Sequence, residues 1–208
     1  MQLGHAVPLR ITTSPVVASL SEPSTESLER WVAGIAAGDA AAFESLFHAF
    51  YDRLCTYAEA YTRSSHAAEE IVDDVFLALW AGRERLGPKI AVASYLYVAV
   101  RNRALNRIGR RKLEHRYAER AAIDGRARLA NQRNEVEDDV RSSELYALAK
   151  QAIEGLPDRM RETYLLYYQH DLSYAEIAAI MRVSVRTVEN QLARAVKRLW
   201  RGLHGQLE

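Results

Sequence analysis

Four carboxylates crowd into one stretch of this chain, Glu69, Glu70, Asp73 and Asp74, with His66 just ahead of them. A carboxylate cluster of this kind could hold a metal. A helical-bundle di-metal site, however, takes two Glu-x-x-His pairs plus further carboxylates. His66 and Glu69 form a single pair in reversed order, so half the donor set is missing and the reading is no metal. The one cysteine, Cys55, has no base or orienting residue near it in the sequence. It reads as core filler rather than nucleophile. A single cysteine also excludes an internal disulfide and suits a reducing compartment. Covalent chemistry is thereby disfavoured: no enzyme is expected and no cofactor.

What remains is recognition by charge and hydrogen bonding. The stretch Leu172 to Leu192 reads as two short helices around a tight turn. Ser173 is a natural N-cap, and Glu176 three residues on completes a capping box. Ile177, Ala178 and Met181 face inward, and Ala178 is small enough for close helix approach. Arg182-Val183-Ser184 breaks the period, and Ser184 can cap the second helix. Val188, Leu192, Ala195, Val196 and Leu199 then recur at helical spacing. The outer face holds Arg186, Thr187, Glu189, Asn190, Arg194, Lys197 and Arg198. Helix-turn-helix units place such a face in the major groove, N-terminal end first. The plainer alternative is an αα-hairpin with a solvated basic face.

The elements that must position these groups emerge from periodicity. Residues 1–27 mix Pro8, Pro15 and Pro23 with Ser and Thr, show no period, and read as a disordered extension. Order is expected from about Leu28, and Asp39 can cap the helix after it. Phe43, Leu46, Phe47, Phe50, Tyr51, Leu54, Tyr57, Ala58 and Tyr61 give that helix a wide apolar face. In the next helix, about His66 to Ala81, Ile71, Val72, Val75, Phe76, Leu79 and Trp80 lie on one arc and the four carboxylates on the other. That acidic arc is either a solvated face, favoured by its place in the helix's N-terminal half, or a docking surface for a basic partner. Residues 82–93 read as a loop broken by Gly87-Pro88. A long helix then starts at Ser94, with Leu96, Val100, Ala104 and Ile108 inside and Tyr97 and Leu105 flanking. Tyr95 and Tyr97 beside Arg101, Asn102, Asn106 and Arg107 suit single-stranded DNA, where bases stack and phosphates are neutralised; the alternative for either tyrosine is the core. Residues 109–142 are polar and read as a linker, helical at their basic start. A further helix ends near Ile153, and Pro157 opens another, to about Gln169.

Net charge is only +1, but the charges are segregated. Arg101 to Arg120 carries eight basic residues against two acidic, and Met181 to His204 six against one. Two basic segments suit a protein that touches a polyanion twice. No apolar run is long enough to span a membrane. The first residues do not look like a secretion signal.

Taken together, Ala68-Glu-Glu-Ile-Val-Asp-Asp-Val-Phe-Leu-Ala-Leu-Trp80, Ser94-Tyr-Leu-Tyr-Val-Ala-Val-Arg-Asn-Arg-Ala-Leu-Asn106, Gly155-Leu-Pro157, Leu172-Ser-Tyr-Ala-Glu-Ile-Ala178 and Ser184-Val-Arg-Thr-Val-Glu-Asn-Gln-Leu192 resemble an extracytoplasmic-function sigma factor of the sigma-70 family. The resemblance covers about Ala42 to Gln206. It implies an all-α protein with two small helical domains, 28–110 and 143–208, joined by a flexible polar linker, 111–142. The first domain would dock on the clamp helices of core RNA polymerase through Glu70, Asp73, Asp74 and Phe76. It would also read the −10 element through Lys89, Tyr95, Arg101, Asn102, Asn106 and Arg107. The second, the helix-turn-helix domain, would read the −35 element through Ser184, Arg186, Thr187, Glu189, Asn190, Arg194 and Lys197. The implied partners are core RNA polymerase, promoter DNA and an anti-sigma factor, with no membrane insertion and a cytoplasmic location. The rival readings are a helix-turn-helix regulator acting without polymerase docking and a helical-bundle metalloenzyme.

Overall fold

The computed structural model describes residues 23–87, 90–122 and 144–204, and every regular element among them is helical. Packing divides the chain into two units, one within Ser21–Glu137 and the other within Asp138–Glu208.

In the first unit Ser24 accepts a hydrogen bond from the Ser27 amide and opens α1, Thr25–Ala36, three residues ahead of the expected Leu28. Gly34 lets α1 lie against α2, since a Cβ there would stand 2.7 Å from the Ala42 Cβ. Asp39 caps α2, Ala40–Thr62, by accepting from the Ala41 amide at 2.8 Å. Arg63 closes α2 in the left-handed region, φ 52°, and Ser64 caps α3, Ser65–Ala81. Helix α3 buries Ala67, Ala68, Ile71, Val72, Val75, Phe76 and Leu79. Phe43 and Phe47 of α2 pack their rings against Phe76 at 5.9 and 4.9 Å, which locks α3 to α2. The segment expected to be a loop contains a short 3-10 turn, Arg83–Arg85, and Arg83 lies over the Trp80 ring at 4.8 Å.

Helix α4 spans Val92–Ala122, 31 residues. It starts two residues before Ser94, which is buried inside the first turn rather than capping it. It also runs 14 residues past Ile108, through much of the basic start of the segment read as linker. Val92, Ala93, Leu96, Tyr97, Val100 and Ala104 are buried. Tyr97 has no exposure at all and packs edge-on against Tyr57 at 5.1 Å, so it belongs to the core. Leu105, expected to flank the core, is instead exposed. From Gly109 to Leu113 every residue is exposed.

The second unit comprises α5, Glu144–Glu154, α6, Asp158–Tyr168, α7, Tyr174–Met181, and α8, Val185–His204. Pro157 stands at the N-cap of α6. Leu156 and Tyr164 pack with Ala195 and Leu199 of α8 around one core, flanked by Ile153, Met160 and Val196. Thr163 is fully buried in α6, and its hydroxyl lies within bonding reach of the Arg159 carbonyl, the Met181 sulfur and the Gln191 side-chain amide. One hydroxyl proton cannot serve three acceptors. With the Gln191 amide turned NH2-inward, Thr163 donates to Arg159 and accepts from Gln191, and both needs are met.

Candidate nucleic-acid interface

The helix-turn-helix is built by its caps. Ser173 accepts from the Glu176 amide while the Glu176 carboxylate accepts from the Ser173 amide at 2.9 Å, closing the capping box. Arg182 turns the chain in the left-handed conformation, φ 55°, and donates its amide to the Ala178 carbonyl. Ser184 then accepts from the Thr187 amide at 3.1 Å, and the two hydroxyls bond at 2.8 Å. Both side chains are therefore engaged in the α8 cap. Val188, Leu192, Ala195 and Leu199 are buried. Arg186, Glu189, Asn190, Arg194 and Lys197 are exposed on the opposite face. Tyr174 at the head of α7 rests against Tyr167, ring centroids 5.1 Å apart. Burial chiefly, and then its tyrosine neighbours and Glu189, raise its hydroxyl pKa.

On α4, Tyr95, Asn102 and Asn106 are exposed and share one face at spacings of seven and four. Arg101 and Arg107 flank that face and are half-exposed. Arg107 and Arg103 both turn toward α3. Arg107 Nη1 pairs with Glu70 Oε2 at 2.6 Å, and Arg103 Nη2 reaches the Asp74 carbonyl at 3.5 Å. The Arg107 guanidinium, by its hydrogen bond first and its charge second, holds the Glu70 carboxyl below the usual range. Lys89 lies outside the described residues.

On α3, Glu69, Glu70, Asp73 and Asp74 are all exposed. Phe76 does not join them. It is 2 % exposed among the aromatic rings of α2, so it positions the helix and presents nothing to a partner. The apolar side chain that this face does expose is Leu77, 67 % exposed and one turn beyond Asp73 and Asp74. Sequence reasoning passed over it. The signal that could have found it is its angle, which puts it on the acidic arc rather than the apolar one. Asp73 also bonds Tyr51, whose hydroxyl is pushed up to about 12 by desolvation, by the charges of Cys55 and Asp73, and by that bond. Among the described residues no group of three His, Cys, Asp or Glu could hold a metal ion, and no helix is long and apolar enough to cross a membrane.

A helical unit with an acidic exposed face on α3, followed by a helix-turn-helix unit with a basic exposed face on α8, is the arrangement of a class of transcription initiation proteins. Residues 46–114 match the family model for sigma-70 region 2, and residues 147–199 that for sigma-70 region 4. Among similar proteins, the ECF RNA polymerase sigma factor SigW of Bacillus subtilis (strain 168) is 27% identical over 161 residues, 76% of this chain and 86% of that one. SigK of Mycolicibacterium vanbaalenii is 26% identical over 84% of this chain and 88% of its own, and the ferric citrate uptake sigma factor FecI of Escherichia coli (strain K12) 27% over 74% and 87%. Two solved structures share the fold. CnrH, in complex with the cytosolic domain of CnrY, gives a TM-score of 0.60 at 20% identity, covering 86% of this chain and 98% of that one. The sigma factor RpoE of Bartonella quintana, in complex with the anti-sigma factor NepR, gives 0.58 at 22% identity, covering 78% and 96%. The chain belongs to the sigma-70 family, in its extracytoplasmic-function group. It is a sigma factor that directs promoter-specific initiation with RNA polymerase.

Proposed function

We propose that this sigma factor docks on core polymerase through the outer face of α3, with Asp73, Asp74 and Leu77 as contacts. In this reading Arg186, Glu189, Asn190, Arg194 and Lys197 of α8 face the −35 element, with Ser184 and Thr187 at the backbone-facing end. Tyr95, Asn102 and Asn106 of α4, flanked by Arg101, hold the melted −10 strand, to which Lys89 is also assigned. The protein would act in the cytoplasm and catalyse nothing itself. Its restraint by an anti-sigma factor is proposed from the two solved relatives, both of which are bound to other chains.

The observation that carries the docking assignment is Leu77. An exposed leucine beside two carboxylates gives a partner both apolar area and charge, whereas a purely solvated face needs only the charge. Burying most of a leucine is worth about 1.5–3 kcal/mol, more than an exposed ion pair at roughly 0.2–1 kcal/mol. Leu77→Asp should therefore weaken core binding more than Asp74→Asn does, with helicity unchanged. A pull-down with core polymerase, followed by run-off transcription on genomic fragments, tests both. Core binding by Leu77→Asp equal to wild type would remove α3 from the docking surface.

A further inference from the structure

Glu70 stands on the acidic face of α3, yet its best contact is within the protein. Its Oε2 receives Arg107 Nη1 from α4 at 2.6 Å, and its Oε1 lies 3.5 Å from His66 Nε2. Both carboxylate oxygens are thus occupied. The pair is open to solvent, with side chains 47% and 37% exposed. Arg107 follows Asn106 about 100° round the helix from the face of Tyr95, Asn102 and Asn106, with its guanidinium on the α3 side, so its long side chain would have to swing to reach a strand lying on that face. A paired guanidinium keeps spare N–H donors, but its charge is cancelled, and charge is what a phosphate contact exploits through counterion release.

We propose that Glu70 is the positioning residue of Arg107: it pins this guanidinium against α3 in the free protein and surrenders it to a nucleic-acid phosphate once a cation of core polymerase takes the carboxylate. Glu70 lies one turn before Asp73 and Asp74, so a basic partner seated on those residues can reach it. One carboxylate therefore serves two surfaces in turn, and docking raises the positive charge that α4 offers to DNA. The inference rests on the assignment of α4 to the −10 strand.

The test uses the full chain, free and as holoenzyme with core polymerase, binding a labelled single-stranded −10 oligonucleotide. Glu70→Gln keeps the shape and removes the charge. In the free protein it should bind several-fold tighter than wild type. One added phosphate contact steepens the salt dependence by about 0.7 in log–log slope, so the gain should shrink about 2.6-fold between 50 and 200 mM salt. Adding Arg107→Gln should abolish the gain. Glu69→Gln, which removes the same charge one residue away, should not reproduce it. In holoenzyme Glu70→Gln should equal wild type. A gain that survives Arg107→Gln, appears equally in Glu69→Gln, or persists undiminished in holoenzyme overturns the proposal. Tyr95→Ala and Asn102→Ala separate the two layers. If both weaken binding while Glu70→Gln changes nothing, only the Glu70 role falls. If neither weakens binding, the α4 assignment falls and this inference with it.

Discussion

At the scale of single residues, the reading face of α8 makes the sharpest claim. Arg186 is exposed in the first turn of α8, two residues past the Ser184 cap, where a side chain can reach base edges. Arg186→Ala is expected to cost about 1–3 kcal/mol at one base position of the −35 element, seen as relaxed discrimination there in a binding series on substituted duplexes. Equal loss on every duplex would make it a phosphate contact. Cys55 makes a different kind of claim. Desolvation in the α2 core, with the carboxylates of Glu69, Asp52 and Asp73 adding to it against the opposing bond from Tyr51, pushes the thiol up to about 11. Against an ordinary thiol, that leaves about a hundredth of the usual thiolate at pH 8. Alkylation of the native protein at that pH should be roughly tenfold slower than that of the unfolded chain, because the thiolate of a less acidic thiol is also the better nucleophile. The folded thiol holds its proton longer than the unfolded one. Its contribution to stability is therefore complete below the unfolded value and declines as pH rises through about 11. Denaturant midpoints measured from pH 8 to 11 on wild type and Cys55→Ala should diverge in that direction.

At the scale of elements, the second unit depends on a polar contact inside its core. Thr163 of α6 touches Met181 of α7 and Gln191 of α8, so one hydroxyl joins all three helices next to the reading face. Thr163→Val keeps the volume but strands the Gln191 amide, at about 1–3 kcal/mol, and Thr163→Ser should recover most of it; urea unfolding of the full chain measures both. Much of this architecture was legible in the sequence. Apolar spacing defines α2, α3 and α7 nearly to the residue, because each has a strong period opened by an Asp, a Ser or a capping box; the start of α8 is as clear, but it runs to His204 rather than to about Trp200. Helix α4 was harder. Its apolar residues do not all face inward: Leu105 is outside although Ala104 beside it is buried. Apolar type is a one-way guide to burial, and Leu77 of α3 shows the same limit. Tyr97 went the other way, since a tyrosine is equally at home on a base and in a core, and only its packing on Tyr57 decides. The Arg107–Glu70 pair was out of reach for another reason: it needs the register of α4 against α3, which neither helix's own period contains. Phe76 is the reverse case: its spacing puts it on the apolar arc, only the family resemblance offers it as a polymerase contact, and the α2 rings packed on it side with the spacing.

At the scale of the whole molecule, the length of α4 bears on how two DNA sites are engaged together. Between Ala122, the last described residue of α4, and Glu144, the first of α5, lie 21 residues outside the described structure. Fully extended, such a stretch spans at most about 75 Å; as the flexible linker expected from the sequence it would average about 25 Å. The −10 and −35 elements lie roughly 50–60 Å apart at 3.4 Å per base pair. A tether whose relaxed length falls well short of the span gives the second site little effective concentration. Free sigma factor should therefore bind DNA carrying both elements less than about tenfold tighter than DNA with the −35 element alone. Core polymerase should open a much larger difference. Equilibrium binding on the two DNAs, with and without core, measures it, and a large difference without core would contradict the tether estimate.

The same helix has a mechanical side. Ala104 is the last buried residue among the side chains described, Gly109 to Leu113 are all exposed, and the helix continues to Ala122. Eighteen residues at 1.5 Å each make an arm of about 27 Å. Its root is braced against α3 by Arg103 and Arg107. A tilt of about 5° at that root would carry the far end through about 2 Å, several times the roughly 0.5 Å range of a hydrogen-bond distance. If α3 docks as proposed, a small adjustment where it meets α4 would be magnified along this length, which makes α4 a lever as well as a candidate reading surface.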